Sequence, residues 1–117
     1  MTSSSRAATP ARAYTLKFVP AALAEWRALD GAVKAPLKKL LAKRLQNPHV
    51  PGSELRGGLR GCYKIKLRKQ GYRMVYYVED DVIAVLVLAV GKREDDDAYL
   101  AALDRLRDLL SISRSAK

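Results

Sequence analysis

Residues 62–68 read CYKIKLR, residues 72–79 read YRMVYYVE, and residues 82–90 read VIAVLVLAV. Alternation in the first run puts Tyr63, Ile65 and Leu67 on one face. Cys62, Lys64, Lys66 and Arg68 fall on the other. In the second run Met74, Tyr76 and Val78 share a face, with Arg73, Val75 and Tyr77 opposite. The third run is apolar nearly throughout, the pattern of a strand buried on both faces at the centre of a sheet. The links Lys69-Gln70-Gly71 and Asp80-Asp81 are short enough for hairpins, so the three strands should be antiparallel neighbours.

Upstream, Tyr14 to Val19 alternates as a first strand. Pro20 opens a helix with Leu23, Trp26 and Leu29 as its buried stripe, and Asp30-Gly31 is read as its stop. A second helix, about Ala32 to Gln46, carries Val33, Leu37, Leu40, Leu41 and Leu45 on one face. Lys34, Lys38, Lys39, Lys43 and Arg44 cover much of the rest. Residues His49 to Arg60 form a loop. A final helix from Asp95 to about Leu110 offers Leu100, Leu103, Leu106 and Leu110 as its stripe, with Asp95, Asp96 and Asp97 capping its start. The expected fold is α+β, in the order β-α-α-β-β-β-α. A four-stranded, antiparallel-rich sheet carries a helical hairpin and a C-terminal helix. Residues 13–110 form one domain, and residues 1–12 and 111–117 read as disordered tails.

The chain has 117 residues and a formal net charge of +10, with 29% charged residues. That charge points to nucleic acid, an anionic membrane surface or an acidic protein partner, against solubility alone. No apolar run approaches the ~18 residues needed to cross a bilayer, and no membrane partner is expected. The first dozen residues lack the apolar stretch of a secretory signal. A single cysteine, Cys62, excludes an intrachain disulfide and suits a reducing, cytoplasmic setting. No metal site and no cofactor are expected.

Six basic residues and no acidic one lie between positions 60 and 73: Arg60, Lys64, Lys66, Arg68, Lys69 and Arg73. A register that buries both apolar sets brings Lys64, Lys66 and Arg73 onto a common outer face. Like charges so close repel, so the cluster suits a multiply charged anion. The alternative is a solvated sheet face on which lysine blocks edge pairing.

The stretches Cys62 to Arg68, Gly71 to Tyr76 and Val90 to Glu94 with Tyr99 resemble the RelE toxins of bacterial toxin–antitoxin pairs. Leu23 to Leu29 and Leu55-Arg56-Gly57 extend the likeness, which covers about residues 14 to 107. The resemblance implies a type II toxin, a ribosome-dependent mRNA endoribonuclease that cleaves A-site codons. In that family the ribose 2′-hydroxyl attacks the adjacent phosphate, leaving a 2′,3′-cyclic phosphate and a 5′-hydroxyl. It also implies a RelB-like antitoxin, the ribosome and mRNA as partners, and operator DNA bound through the antitoxin. Carried over by position, Lys64, Lys66, Arg73, Arg93 and Tyr99 are the catalytic candidates. Arg60, Arg68, Lys69 and Lys92 are candidates for RNA binding.

Such chemistry needs a base for the 2′ proton, cations on the phosphate, and charge or proton donation at the leaving oxygen. The only histidine, His49, reads as a loop residue. A lysine base then becomes the substitute, since neighbouring cations favour its neutral form. Lys66 suits that role, Lys64 and Arg73 the phosphate, Arg93 the leaving oxygen, and Tyr99 a stacked base. Alternatives are a surface ion pair for Arg93 and packing under the last helix for Tyr99. Cys62 reads as a strand residue and Trp26 as core. The run Glu94 to Asp97 caps the helix or repels RNA. Two other functions compete. One is a ParE-like inhibitor of DNA gyrase that acts without RNA cleavage. The other is a binder that only pairs with an antitoxin.

Overall fold

The computed structural model describes residues 13–92 and 97–115. Four strands form one sheet: β1 (Thr15–Phe18), β2 (Cys62–Leu67), β3 (Tyr72–Glu79) and β4 (Ala84–Lys92). Their order across the sheet is β1-β4-β3-β2. β1 runs parallel to β4, while the other pairs are antiparallel. The apolar third run is therefore central, as its pattern required.

Helices α1 (Pro20–Arg27) and α2 (Gly31–Gln46) cover one face. Ala22, Val33, Leu37 and Leu41 meet Ile65, Met74, Tyr76, Val85 and Val87 there. Helix α3 (Asp97–Ser115) covers the opposite face, where Ala98, Ala102 and Leu106 meet Cys62, Val75, Leu86, Leu88 and Ala89. A central strand apolar on both sides needs such a sandwich, since either bare face would leave β4 in water.

Several local expectations are corrected. Asp30-Gly31 does not stop α1; Ala28 ends that helix, and Asp30 occupies the N-cap position of α2. The Asp80-Asp81 link is a 3-10 turn over Asp80–Val82, followed by Ile83 in the left-handed region at φ 51°. β4 consequently starts at Ala84. Helix α3 extends to Ser115, so the tail expected from residue 111 begins inside it. The segment after Leu110 holds no Gly or Pro to end the helix. Its stripe also differs. Leu100 and Leu110 are 63% and 47% exposed, whereas Ala98 and Ala102 are buried. Small residues win those positions because they let the helix approach the sheet closely. A Cβ on Gly91 would sit 3.6 Å from the Ala98 Cβ, at van der Waals contact. Residues 1–12, read as a tail, and Asp95 and Asp96, read as caps, lie outside the described residues.

β4 has a β-bulge against β3. Val75 pairs with Ala89 and Tyr76 with Val87, so Leu88 is the extra residue. On its other side β4 outruns β1, whose ladder stops at Val87. The backbone groups beyond that point need partners. The Val90 N–H donates to Glu25 Oε1 at 3.1 Å. Arg105 Nη1 donates to the Leu88 carbonyl at 2.8 Å. The same guanidinium grips Glu25 through both nitrogens, at 2.8 and 2.9 Å. This pair joins α1 to α3 and closes the edge of the central strand.

Charge-assisted, two-pronged bonds are stronger than neutral ones. Arg105→Met, which keeps an unbranched apolar stem, should lower unfolding free energy by about 2 kcal/mol. Urea denaturation checks this, and Glu25→Gln in the Arg105→Met background should cost much less than in the wild type.

Candidate nucleic-acid interface

The β2–β3 register places Lys66 opposite Arg73 and Lys64 opposite Val75. Arg73 in turn lies opposite Gly91 on β4. Lys66, Arg73 and Gly91 thus form one row across three strands, with Lys64 on the same face two residues along. The hairpin that sets this register turns through Gly71, at φ 72°, whose N–H donates to the Leu67 carbonyl at 2.9 Å. A left-handed φ favours glycine at that position.

The shared face is as expected, but it is not an outer face. Helix α3 covers most of it. Lys64 and Lys66 are half-buried, and Arg73 is only 7% exposed. The Arg73 guanidinium carbon lies 4.3 Å from the centroid of the Tyr99 ring, a cation–π contact. Tyr99 comes from the first turns of α3 and belongs to the margin of the core beneath that helix. Packing and the candidate site are therefore joined in one residue. The close approach of Ala98 to Gly91 brings Tyr99 to Arg73.

The RNA-binding candidates divide. Arg68 and Lys69 are exposed in the hairpin turn, and Lys92 is exposed opposite Tyr72 at the same end. Arg60 is exposed in the turn before the other end of β2. Arg93, with Glu94, lies outside the described residues.

Arg44, on a helix face whose lysines mark it as polar, reaches this site. Its Nη1 donates to the Lys64 carbonyl at 3.0 Å and to the Tyr76 hydroxyl at 2.9 Å. Its Nη2 donates to Ser53 Oγ at 3.4 Å. Spacing held the signal: Leu37, Leu41 and Arg44 follow the four-then-three rhythm of one helix face. A cleft of about 310 Å³ at the β2 edge is lined by Arg44, Gly52, Ser53, Lys64, Lys66 and Arg68.

His49 packs against Tyr63, on the sheet face opposite Lys64, Lys66 and Arg73. It bridges Asp80, Nε2 to Oδ1 at 2.9 Å, and Tyr63, Nδ1 to the hydroxyl at 2.9 Å. A carboxylate only accepts, so neutral His49 carries its proton on Nε2 and accepts from Tyr63. Tyr14 also donates to Asp80, at 2.7 Å. His49 and then Tyr14 hold the Asp80 carboxyl below its usual range. Burial pushes the Cys62 thiol up to about 12. Cys62 is fully buried, as a strand residue should be. Trp26 is half-buried and packs on Phe18, with ring centroids 5.7 Å apart. Among the described residues, no group of three His, Cys, Asp or Glu could hold a metal ion. No described helix is long and apolar enough to cross a membrane.

Two outcomes follow from these environments. A carboxyl with a depressed folded pKa stabilises above the ordinary value of ~3.9 and loses that contribution as pH falls through the folded value. Acid titration of stability should therefore show a shallower decline below about pH 4 in Asp80→Asn than in the wild type. Cys62 should resist thiol reagents at pH 8 in the folded chain and react on denaturation.

A family profile described as the ParE toxin of the type II toxin-antitoxin system, parDE, matches residues 16–97. A putative RelE-like toxin protein of Escherichia coli is 48% identical over 94 residues, covering 80% of this chain and 98% of the relative. The mRNA interferase toxin RelE of Escherichia coli strain K12 is 47% identical over 94 residues, with the same shares covered. Among solved structures, an arginine-to-alanine double mutant of E. coli toxin RelE in the free state superposes with a TM-score of 0.73. It shares 46% identity and covers 80% of this chain and 98% of its own. The toxin chain of the intact E. coli RelBE toxin-antitoxin complex gives a TM-score of 0.66 at 49% identity, covering 68% of this chain and 96% of its own. With a family profile matched over residues 16–97 and nearly half its residues shared with RelE over four-fifths of its length, the chain belongs to the RelE family of type II toxins, within the wider RelE/ParE superfamily.

Proposed function

We propose that this protein is the toxin of a type II toxin–antitoxin pair, an mRNA endoribonuclease that cleaves A-site codons on the ribosome. The observation that carries the reading is the row of Lys66 and Arg73, with Lys64 beside it and Tyr99 at 4.3 Å from Arg73. Lys64 and Arg73 hold the scissile phosphate. Lys66 takes the 2′ proton, the 2′ oxygen bonds to phosphorus, and the bond to the 5′ oxygen breaks. Arg93 stabilises the charge on that leaving oxygen, which takes its proton from water. Tyr99 orients the Arg73 guanidinium and stacks on a base of the unpaired strand. The chemistry asks for cations around a phosphate and a base beside the 2′ hydroxyl, and needs no cofactor.

The partners are a RelB-like antitoxin, the ribosome and its mRNA, with operator DNA bound through the antitoxin. The site of action is the cytoplasm. A net charge of +10 supports binding to both RNA and an acidic antitoxin. The ParE description of the matching profile keeps a gyrase-binding reading in view. Gyrase inhibition by protein contact does not call for the Lys64, Lys66 and Arg73 set, which favours the ribonuclease.

Purified Lys66→Ala should cleave A-site codons on programmed ribosomes about 10²- to 10⁴-fold more slowly than the wild type. Its thermal melt should stay within a few degrees of the wild type, and its induction should no longer arrest growth. A folded Lys66→Ala that cleaves at the wild-type rate contradicts the assignment.

A further inference from the structure

The cleft at the β2 edge is not accounted for by the cleavage roles above. It shares Lys64 and Lys66 with them, but its other walls are Arg44, Gly52, Ser53 and Arg68. No carboxylate is among these described lining residues, although Glu54 Oε1 accepts from the Gly52 N–H behind the wall at 3.4 Å. We propose that this cleft holds a second RNA phosphate, the one flanking the scissile phosphate, with Arg44 as a direct ligand. The proposal rests on the ribonuclease reading and names a further substrate contact for it.

Three features carry the inference. First, alternate strand residues lie about 6.6 Å apart, so Lys64 and Lys66 form a row along which an extended backbone can lie. Second, Arg44 is already ordered. The Lys64 carbonyl, the Tyr76 hydroxyl and Ser53 Oγ hold its guanidinium, and the Tyr76 hydroxyl is itself anchored by donating to the Pro48 carbonyl at 2.7 Å. A guanidinium has five N–H donors, and three are engaged by these contacts. A pre-ordered arginine loses little entropy on meeting a phosphate. Third, the same contacts tie the cleft wall to the strand that carries the proposed base. The Lys64 N–H donates to the Ser53 carbonyl at 3.0 Å while its carbonyl accepts from Arg44. Both edge-facing backbone groups of Lys64 are thereby held by the residues that line the cleft.

The test is binding of the full chain to a short single-stranded RNA whose sugars are 2′-deoxy at every cleavable position, titrated across salt. Each phosphate contact on a single strand contributes about 0.7 to the slope of log K against log salt. Arg44→Ala should bind roughly three- to tenfold more weakly at low salt, with its slope reduced by about 0.7. Arg44→Lys should keep the slope. Ser53→Glu, which leaves Arg44 in place and adds a negative charge to the cleft, should weaken binding and lower the slope as well. If Arg44 only braced the strand, Arg44→Ala would lower the melting temperature and leave the slope unchanged. An unchanged slope in both Arg44→Ala and Ser53→Glu, or no binding by the wild type, overturns the proposal. Ser53→Glu decides alone if Arg44→Ala does not fold. Failure of the underlying reading shows separately, as RNA binding by a wild type that cuts no A-site codon.

Discussion

The backbone of β4 is the constraint around which this molecule is arranged. The strand is buried on both faces, bulged at Leu88, and longer than the parallel neighbour that should satisfy its edge. A buried carbonyl or amide without a partner costs as much as a lost hydrogen bond. Glu25 and Arg105 answer that demand from opposite layers and answer each other in the same contact. The result ties α1 to α3 across the sheet. Ala98 lies two turns before Arg105 on α3, against Gly91, and Tyr99 is the next residue. The structural pair and the candidate site are therefore two ends of one docking geometry.

The bulge explains what a reading of the sequence could and could not reach. Alternation along residues 62–68 and 72–79 is regular, and one misplaced residue would expose a whole apolar set. The register of Lys64, Lys66 and Arg73 was legible for that reason. The same regularity hid what happens on β4. An all-apolar run has no polar face to betray a change of phase. The bulge turns both Leu88 and Ala89 to the α3 side and sends Val90 to the other face, so Gly91 rather than Val90 lies under the helix. Leu100 and Leu110 looked like the natural stripe of α3 because hydrophobicity favours large side chains. Close approach selected Ala98 and Ala102 instead. An apparently outer cationic face thereby became the margin of a second apolar layer.

The site itself was only partly legible. Strand geometry supplied its lysines and Arg73. Tyr99 came from family likeness, because nothing local marks an aromatic at a helix start as the partner of a strand arginine. Arg44 is hard to single out in the sequence because a lysine-rich helix face ordinarily faces water. Its role depends on tertiary contacts with Lys64, Tyr76 and Ser53, which lie 9 to 32 residues away along the chain. The histidine is a loop residue, as its place after Pro48 suggests, and the bridge it forms between Tyr63 and Asp80 has no signal in the sequence.

Taken together, the sheet presents cations in a fixed row, and a helix docked by small residues sets an aromatic against them. This arrangement suits an extended RNA strand held by its phosphates, and the central claim is that the strand is messenger RNA in the ribosome. Mapping mRNA 5′ ends after brief induction tests it most directly. The account predicts new 5′-hydroxyl ends inside translated codons, in frame with the ribosome and absent from untranslated transcripts. Growth arrest without such ends, accompanied by DNA cleavage complexes of gyrase, would contradict it.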